Sequence, residues 1–310
     1  MKRYIAIDVG GTAIKHALLD ETGRILTQSE APTPHDTLES FLGELKIILD
    51  LYEEQRPAGI AVAAPGKIDV ERGYFHTGGA LPYLQETDFF DAMKGLTDLP
   101  VSLVNDAKAA ALAELWQGAL SDAQSGVVIT LGTGIGGAVI ANGQLVNGFT
   151  GAAGEFSPIP VHWNSRVTGL GDSFTDMNCT RVLLERYAAR TGQDAAGLDG
   201  RIFFEKLKDD PAAQEELAAF CQTLANAILA FALILDPQKV LIGGGISRQP
   251  ALIDTLRQET KHLYDRLPDG HPASLPEIAA CQFSADANLV GALYHHLTMR
   301  GETPQQRMDS

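Results

Sequence analysis

The sequence predicts an α/β protein of two lobes, and three observations carry that reading: a strand-and-glycine-turn pattern that occurs twice, strand and helix signals that alternate, and a length of 310 residues. Tyr4 to Ile7 reads as a short strand, Gly10-Gly11-Thr12 as a tight turn, Ala13 to Leu19 as a second strand, and Glu21-Thr22-Gly23 as the turn into Ile25-Leu26. Val127 to Leu131, Gly132-Thr133-Gly134-Ile135-Gly136-Gly137, Ala138 to Ala141 and the Asn142-Gly143 turn into Leu145-Val146 repeat that order. Each half of the chain therefore opens with a three-strand meander. Helical periodicity covers Thr37 to Glu53, Ala107 to Gln117, Asn178 to Arg190, Ala212 to Leu235 and Ala287 to Met299. Short strands at Gly59 to Ala63, Val101 to Val104 and Lys239 to Ile242 alternate with them, the arrangement of an α/β fold. A chain this long exceeds what one hydrophobic core usually serves. The expected organisation is a smaller lobe over 1–117, a larger lobe over 118–286, a helix over 287–299 that packs back on the first lobe, and a polar tail over 300–310.

Composition narrows the partners. Hydrophobic residues at 45% and charged residues at 20% describe a folded chain, not a disordered one. Twenty-four Lys and Arg against 39 Asp and Glu give a formal charge of -15, a field that repels nucleic acid and anionic lipid. Neither nucleic acid nor a membrane is the expected partner. A nucleotide remains compatible, because magnesium and backbone N–H groups neutralise phosphate without a basic surface. Cys179, Cys221 and Cys281 are widely spaced with no CxxC pair, which reads as reduced, buried thiols. Asp8 breaks the first apolar run too early for a signal-peptide core, and no run of about 20 uninterrupted apolar residues follows. The expected location is the cytoplasm.

Several segments carry residue types suited to phosphate and hydroxyl chemistry. In Asp8-Val9-Gly10-Gly11-Thr12 two glycines after a strand let backbone N–H groups approach a phosphate, while the Asp at the strand end can hold a hydrated magnesium ion. An ordinary hairpin would need the same residues. Lys15 either reaches the phosphate or is a solvated strand lysine. The loop Gly132 to Gly137 offers the Thr133 hydroxyl, but it lacks the GK[ST] ending of a P-loop and opens no helix. Gly243-Gly244-Gly245 follows a strand and precedes a helical pattern, a place where backbone can pass close to adenine or simply connect two elements. Asn105-Asp106 closes a strand and opens an Ala-rich helix. Asp106 thus faces the sheet end where α/β ligands bind, as a helix cap or as a base that accepts a hydroxyl proton. Glu155, in a Gly-rich irregular stretch, has the two oxygens that vicinal hydroxyls require.

Taken in order, Asp8-x-Gly10-Gly11-Thr12, Ala64-Pro65-Gly66, Asn105-Asp106-Ala107, Leu131 to Gly137, Ala153-Gly154-Glu155 and Gly243-Gly244-Gly245 resemble the ROK family of sugar kinases and repressors over nearly the whole chain. The resemblance implies an actin-like, ribonuclease-H-like pair of lobes with the active site in the interdomain cleft. It implies ATP and Mg2+ as cofactors, with Asp8, Gly10, Gly11 and Thr12 at one phosphate site, Thr133 and Gly134 at a second, and Gly244 and Gly245 beside the adenosine. Asp106 looks like the family's catalytic base, Asn105 its neighbour on the sugar, and Glu155 the carboxylate that grips hydroxyls. A homodimer is also implied.

One departure stands out. Zinc-containing members follow the Gly-Glu pair with Gly-His and a CxCGxxGCxE run, whereas this chain has Ser157-Pro158 and the isolated Cys179. No zinc site is therefore expected, and the contacts that hold plain glucose are reduced. Met177-Asn178-Cys179-Thr180, Gly78-Gly79-Ala80 and Trp116-Gln117-Gly118 look instead like zinc-free bacterial β-glucoside kinases, which phosphorylate the 6-hydroxyl of the non-reducing glucose in disaccharides such as cellobiose. That similarity places Gly79 at the substrate. The alternatives within the family are a hexose kinase acting on glucose, N-acetylmannosamine or fructose, and a sugar-sensing regulator without turnover. The regulators carry an N-terminal helix-turn-helix, and here strand signals begin at Tyr4, with an acidic balance that also disfavours DNA.

Overall fold

The computed structural model of the protein describes residues 1–161, 173–302 and 304. Contacts divide the chain into two compact units: Met1–Ser121 with Asn147–Ala153 and Ala285–Ser310, and Asp122–Val146 with Gly154–Ser284.

The first unit opens with the meander β1 (Arg3–Val9), β2 (Ala13–Asp20) and β3 (Ile25–Pro32). Its second turn is closed by the Asp20 carboxylate, which accepts from the N–H groups of Thr22 at 2.9 Å and Arg24 at 3.1 Å. Helix α1 (Leu38–Leu51) starts where the Thr37 hydroxyl accepts from the Ser40 N–H at 3.2 Å. There follow β4 (Ile60–Ala64), a small sheet of β5 (Ile68–Asp69), β6 (Tyr74–Phe75) and β7 (Thr87–Asp88), then α2 (Phe89–Lys94), β8 (Val101–Asn105) and α3 (Asp106–Gln117). The main sheet runs β3-β2-β1-β4-β8, with β1 antiparallel to β2 and parallel to β4. Side chains alternate across β1: Ile5, Ile7 and Val9 join the core built with Phe41, Leu45 and Ile48 of α1.

The second unit repeats that plan with β9 (Gly126–Leu131), β10 (Ile135–Ala141) and β11 (Gln144–Leu145), then α4 (Phe174–Asn178), α5 (Thr180–Thr191), α6 (Gly200–Lys206), α7 (Pro211–Leu235), β12 (Lys239–Gly244), α8 (Pro250–Tyr264) and β13 (Glu277–Ala280). Sheet order is β11-β10-β9-β12-β13, with β9 antiparallel to β10 and parallel to β12. The two sheets share one topology, as the repeated meander predicts. Helix α7 is long and apolar enough to cross a bilayer by length and composition alone, although Gln222, Thr223 and Asn226 interrupt the run. Its apolar face, with Leu217, Phe220, Leu224, Ile228 and Phe231, fills the core against Val127, Ile129 and Leu131.

Helix α9 (Ala287–Met299) returns to the first unit and crosses α3 at Gly291, where any Cβ would overlap the Ala109 carbonyl oxygen. The helix expected over Asn178 to Arg190 is α5, which starts two residues later because the chain leaves helical geometry at Cys179 (φ -82°, ψ 159°), where the short α4 ends. Strands β5 to β7 and β13 gave no sequence signal. Each has two to four residues, too few for an alternating pattern to register. Cys179, Cys221 and Cys281 are all buried, and burial pushes the Cys221 thiol up to about 12.

Two adjacent histidines of α9 are also in the first unit's core. Burial pulls both imidazoles down to about 4, reinforced for His295 by the neighbouring His296 and for His296 by Arg300. His296 Nδ1 stands 3.0 Å from Ser102 Oγ. A histidine whose folded pKa lies below the unfolded ~6.5 binds fewer protons folded than unfolded, so its stability contribution is complete above that pH and is lost as pH falls toward about 4. Thermal melts are expected to show Tm falling between pH 6.5 and 4, as the folded state loses at most on the order of 3 kcal/mol of stability per imidazole. His296→Gln should flatten that slope; a variant that follows the wild-type profile down to pH 5 would exclude this histidine as its source.

Candidate functional site

In the first unit the polar groups gather at the carboxyl ends of parallel strands. The register aligns Asp8 with Ala63 and Ala63 with Val104, so the ends of β1, β4 and β8 lie level, spanning roughly 10 Å at ~4.8 Å per strand. Asp8 points to the face opposite Ile7 and Val9, where Asn288 Nδ2 of α9 donates to its carboxylate at 3.0 Å. Burial pushes the Asp8 carboxyl up, opposed by that hydrogen bond and by the charge of Lys15, its partner across the β1–β2 ladder. Lys15 itself reaches the Ala285 carbonyl at 3.4 Å. The following turn is narrow: Gly10 N–H donates to the Ala13 carbonyl at 3.0 Å, and Thr33 fastens its far side through Oγ1 to the Gly10 carbonyl at 2.7 Å. Thr12 is exposed at its rim, and Gly11 lies beside Ala80, next to Gly79.

Asn105 and Asp106 stand at the junction of β8 and α3. The Asn105 side chain caps the helix by accepting from the Lys108 N–H at 3.2 Å and donates to the Gly66 carbonyl at 3.0 Å. Both ends of its amide therefore hold backbone, so the cap reading of Asn105 is satisfied in full, and a sugar contact would use its second amide hydrogen. Asp106 is half-buried in the first turn, with Oδ1 accepting from the Ala107 N–H at 2.7 Å. Gly66 (φ +104°) packs against Thr77 and Gly78, and Gly79 (φ +57°) packs back on Pro65 and Gly66, so two glycine segments close around the end of β4. Asp8, Gly10, Gly11, Thr12, Lys15, Gly79, Asn105 and Asp106 thus share one edge of one unit.

The second unit presents its own edge. Gly244 pairs in register with Leu131, which sets the Gly244–Gly245 backbone beside the Gly132–Gly134 turn. At Gly244 (φ +93°) a Cβ would overlap the Leu131 carbonyl oxygen, whereas Gly245 faces open space. Ser247 secures that bend with Oγ to the Gly244 carbonyl at 2.8 Å. The turn before β10 is braced by Thr175, whose Oγ1 accepts from the Ile135 N–H at 3.0 Å, and by Thr180, whose N–H donates to the Gly132 carbonyl at 3.0 Å. Thr133 and Gly134 remain exposed. Glu155 is exposed next to Gly154 (φ +86°), which lies against the backbone of Gly137 and Ala138.

Sequence reasoning read Thr180 only within a subgroup signature and missed Asn288, Thr175, Ser247 and Lys108, each of which fixes a predicted residue from a distant element or from within a helix. No local motif marks them. Asn178 and Cys179, read as subgroup signatures, are fully buried, and Asn178 Nδ2 donates to the Phe220 carbonyl at 2.9 Å. Among the described residues no group of three or more His, Cys, Asp or Glu is placed to hold a metal ion.

Two glycine-turned sheet edges of one topology, one with a strand-end aspartate and a helix-capping Asn-Asp pair, define a two-unit α/β protein built for phosphate and a hydroxylated ligand. The chain belongs to the ROK family, which it matches over residues 4–298. A β-glucoside kinase of Klebsiella pneumoniae is 33% identical over 297 residues, 94% of this chain and 95% of that protein. A ROK family protein from Streptococcus pneumoniae TIGR4, solved in complex with sucrose, superposes with a TM-score of 0.85 at 31% identity, over 96% of this chain and 99% of that one. A ROK family glucokinase from Streptomyces griseus in complex with glucose and AMPPNP has a TM-score of 0.79 at 25% identity, over 94% and 98% of the two chains.

The Gly244 geometry gives a direct test. Gly244→Ala places a side chain at positive φ against the Leu131 carbonyl and is expected to cost about 1–3 kcal/mol, measured by urea unfolding. Gly245→Ala, with open space, should cost less than ~1 kcal/mol on the same measurement.

Proposed function

We propose that the protein is an ATP-dependent sugar kinase that transfers the γ-phosphoryl group to the 6-hydroxyl of a glucosyl unit, with a β-glucoside such as cellobiose as acceptor. The observation that carries this reading is Asp106, held by the first turn of α3 at the carboxyl edge of the β1-β4-β8 strands, level with the Asp8 turn. A carboxylate there accepts the proton of the attacking hydroxyl while the sugar oxygen bonds to the γ-phosphorus and the bond to the β-phosphate oxygen breaks, releasing ADP. Gly10 shapes the turn, backbone N–H groups of Gly11, Thr12 and the Thr133-Gly134 turn receive phosphate oxygens, and Gly244-Gly245 lies along the adenosine. The two ligands on the Streptomyces griseus relative support ATP as donor and a hexose as acceptor.

The carboxylate of Asp8 suits a hydrated magnesium ion: it is buried to 9% exposure and gains from a cation that offsets the cost of burying its charge. Bound there, the ion would supply charge to the β- and γ-phosphate oxygens. Lys15, across the ladder, adds a second positive charge on that face. Glu155 takes the remaining sugar hydroxyls. The β-glucoside acceptor rests on the Klebsiella pneumoniae relative and on the missing Gly-His and cysteine run after Glu155, whose loss opens the anomeric side of the ring. A hexose kinase is the second reading, favoured by the glucose bound to the Streptomyces griseus relative.

Asp106→Asn is expected to lower kcat by about 10²–10⁴ with sugar KM little changed, since the amide keeps the helix start and loses the base. Turnover near the wild-type value would remove Asp106 from that role. Coupled ADP release on cellobiose, glucose, mannose, fructose and N-acetylmannosamine is expected to give kcat/KM for cellobiose at or above that for glucose. Product NMR should find phosphate on the 6-position of the non-reducing ring. Cellobiose left inert while a free hexose reacts would establish the second reading.

A further inference from the structure

The segment Asn147–Ala153 leaves β11, joins the first unit, and carries one feature that the kinase reading does not use: Phe149 is fully exposed, at 103%. The loop beneath it is pinned. Ala153 N–H closes it on the Asn147 carbonyl at 3.2 Å. Gly151 (φ +78°) lies so near β5 that a Cβ would stand 2.5 Å from the Ile68 carbonyl oxygen. Lys108, two residues beyond Asp106 in α3, is 2% exposed and donates its Nζ to the Gly151 carbonyl at 2.6 Å. A buried ammonium is costly unless its hydrogen bonds are worth the desolvation, so this bond ties the loop firmly to the helix that presents Asp106.

A pinned loop and a bare aromatic ring are an unusual combination, because an apolar ring of that size gains from any contact that removes it from water. A residue that lined a closed pocket for the reacting ring would be partly covered by its neighbours. Phe149 is covered by nothing, so it serves whatever extends beyond that ring into solvent. The geometry points to Phe149 as a stacking platform for the second sugar ring or other β-linked substituent of the acceptor, with Lys108 as the positioning residue that holds the platform beside the Asp106 helix. Pyranose rings present a face of C–H groups to an aromatic plane, while their hydroxyls stay hydrated at the edge. This assignment rests on the β-glucoside reading above and gives that reading a residue.

Three variants test it against two acceptors, cellobiose and glucose, with ATP saturating. In Phe149→Ala the ratio of kcat/KM for cellobiose to that for glucose is expected to fall about tenfold, the size of one lost aromatic contact, mainly through the KM for cellobiose. Lys108→Met keeps the buried stem and removes the donor. Gly151→Ala displaces the loop without touching α3. Both are expected to lower the same ratio, by shifting the ring. A purely structural role for Lys108 or Gly151 would reduce both acceptors together and leave the ratio constant, which would overturn the positioning role. An unchanged ratio in Phe149→Ala, with cellobiose active in the wild type, would overturn the platform and leave the β-glucoside reading standing. A wild type inert on cellobiose would overturn both.

Discussion

Gly10 donates its N–H to the Ala13 carbonyl at 3.0 Å, and a Cβ on Gly10 would stand 2.8 Å from that same oxygen. The hairpin closes this tightly only because no side chain intervenes, and the polar edge of the first unit depends on that closure. It sets the glycine turn at the level where Asp8 ends its strand and where the parallel partners β4 and β8 also end. The second unit meets the same constraint one strand over. There Gly244 runs against the Leu131 carbonyl, and the bend that results brings two glycine segments side by side. Backbone proximity of this kind suits a ligand rich in acceptor oxygens, since glycine offers its N–H without a competing side chain.

The helix that begins at Asp106 shows how one junction meets several demands at once. Asn105 caps α3 and grips Gly66, which fixes both the helix start and the glycine loop after β4. With the neighbouring residue committed to structure, Asp106 is delivered to the sheet edge at a set height, one residue past the last ladder position of β8. Two residues on, Lys108 uses the same helical turn to hold the Asn147–Ala153 segment. Capping by Asn105, the placement of the Asp106 carboxylate and the tethering of the loop by Lys108 all fall within the first turn of one helix, so a change in any of the three is felt by the others.

Much of this architecture was legible in the chain. The duplicated strand-glycine-strand pattern gave both meanders, and apolar periodicity gave α1, α3, α7 and α9 to within a residue or two at most ends. Asp8, Asn105 and Asp106 were legible as strand-end and cap positions because a polar residue that interrupts an apolar run at a strand terminus has few local reasons to be there. The braces were not. Asn288 on Asp8, Thr33 on Gly10, Thr180 on Gly132 and Ser102 on His296 join residues that lie 23 to 280 positions apart in the chain, and pairings at that range leave no spacing to read.

The sequence by itself determined the fold class, the order of elements and the chemical character of each glycine turn, since these follow from local sterics and from the period of apolar residues. Tertiary structure alone decided which turns share an edge, that the Asn105 amide serves backbone, that Lys108 is a buried tether and not a surface cation, and that Phe149 is left bare in water. The physical reason is one of range. Backbone conformation and amphipathicity act over a few residues, whereas register between parallel strands and the burial of a charge are set by chain segments that meet only after the core has formed.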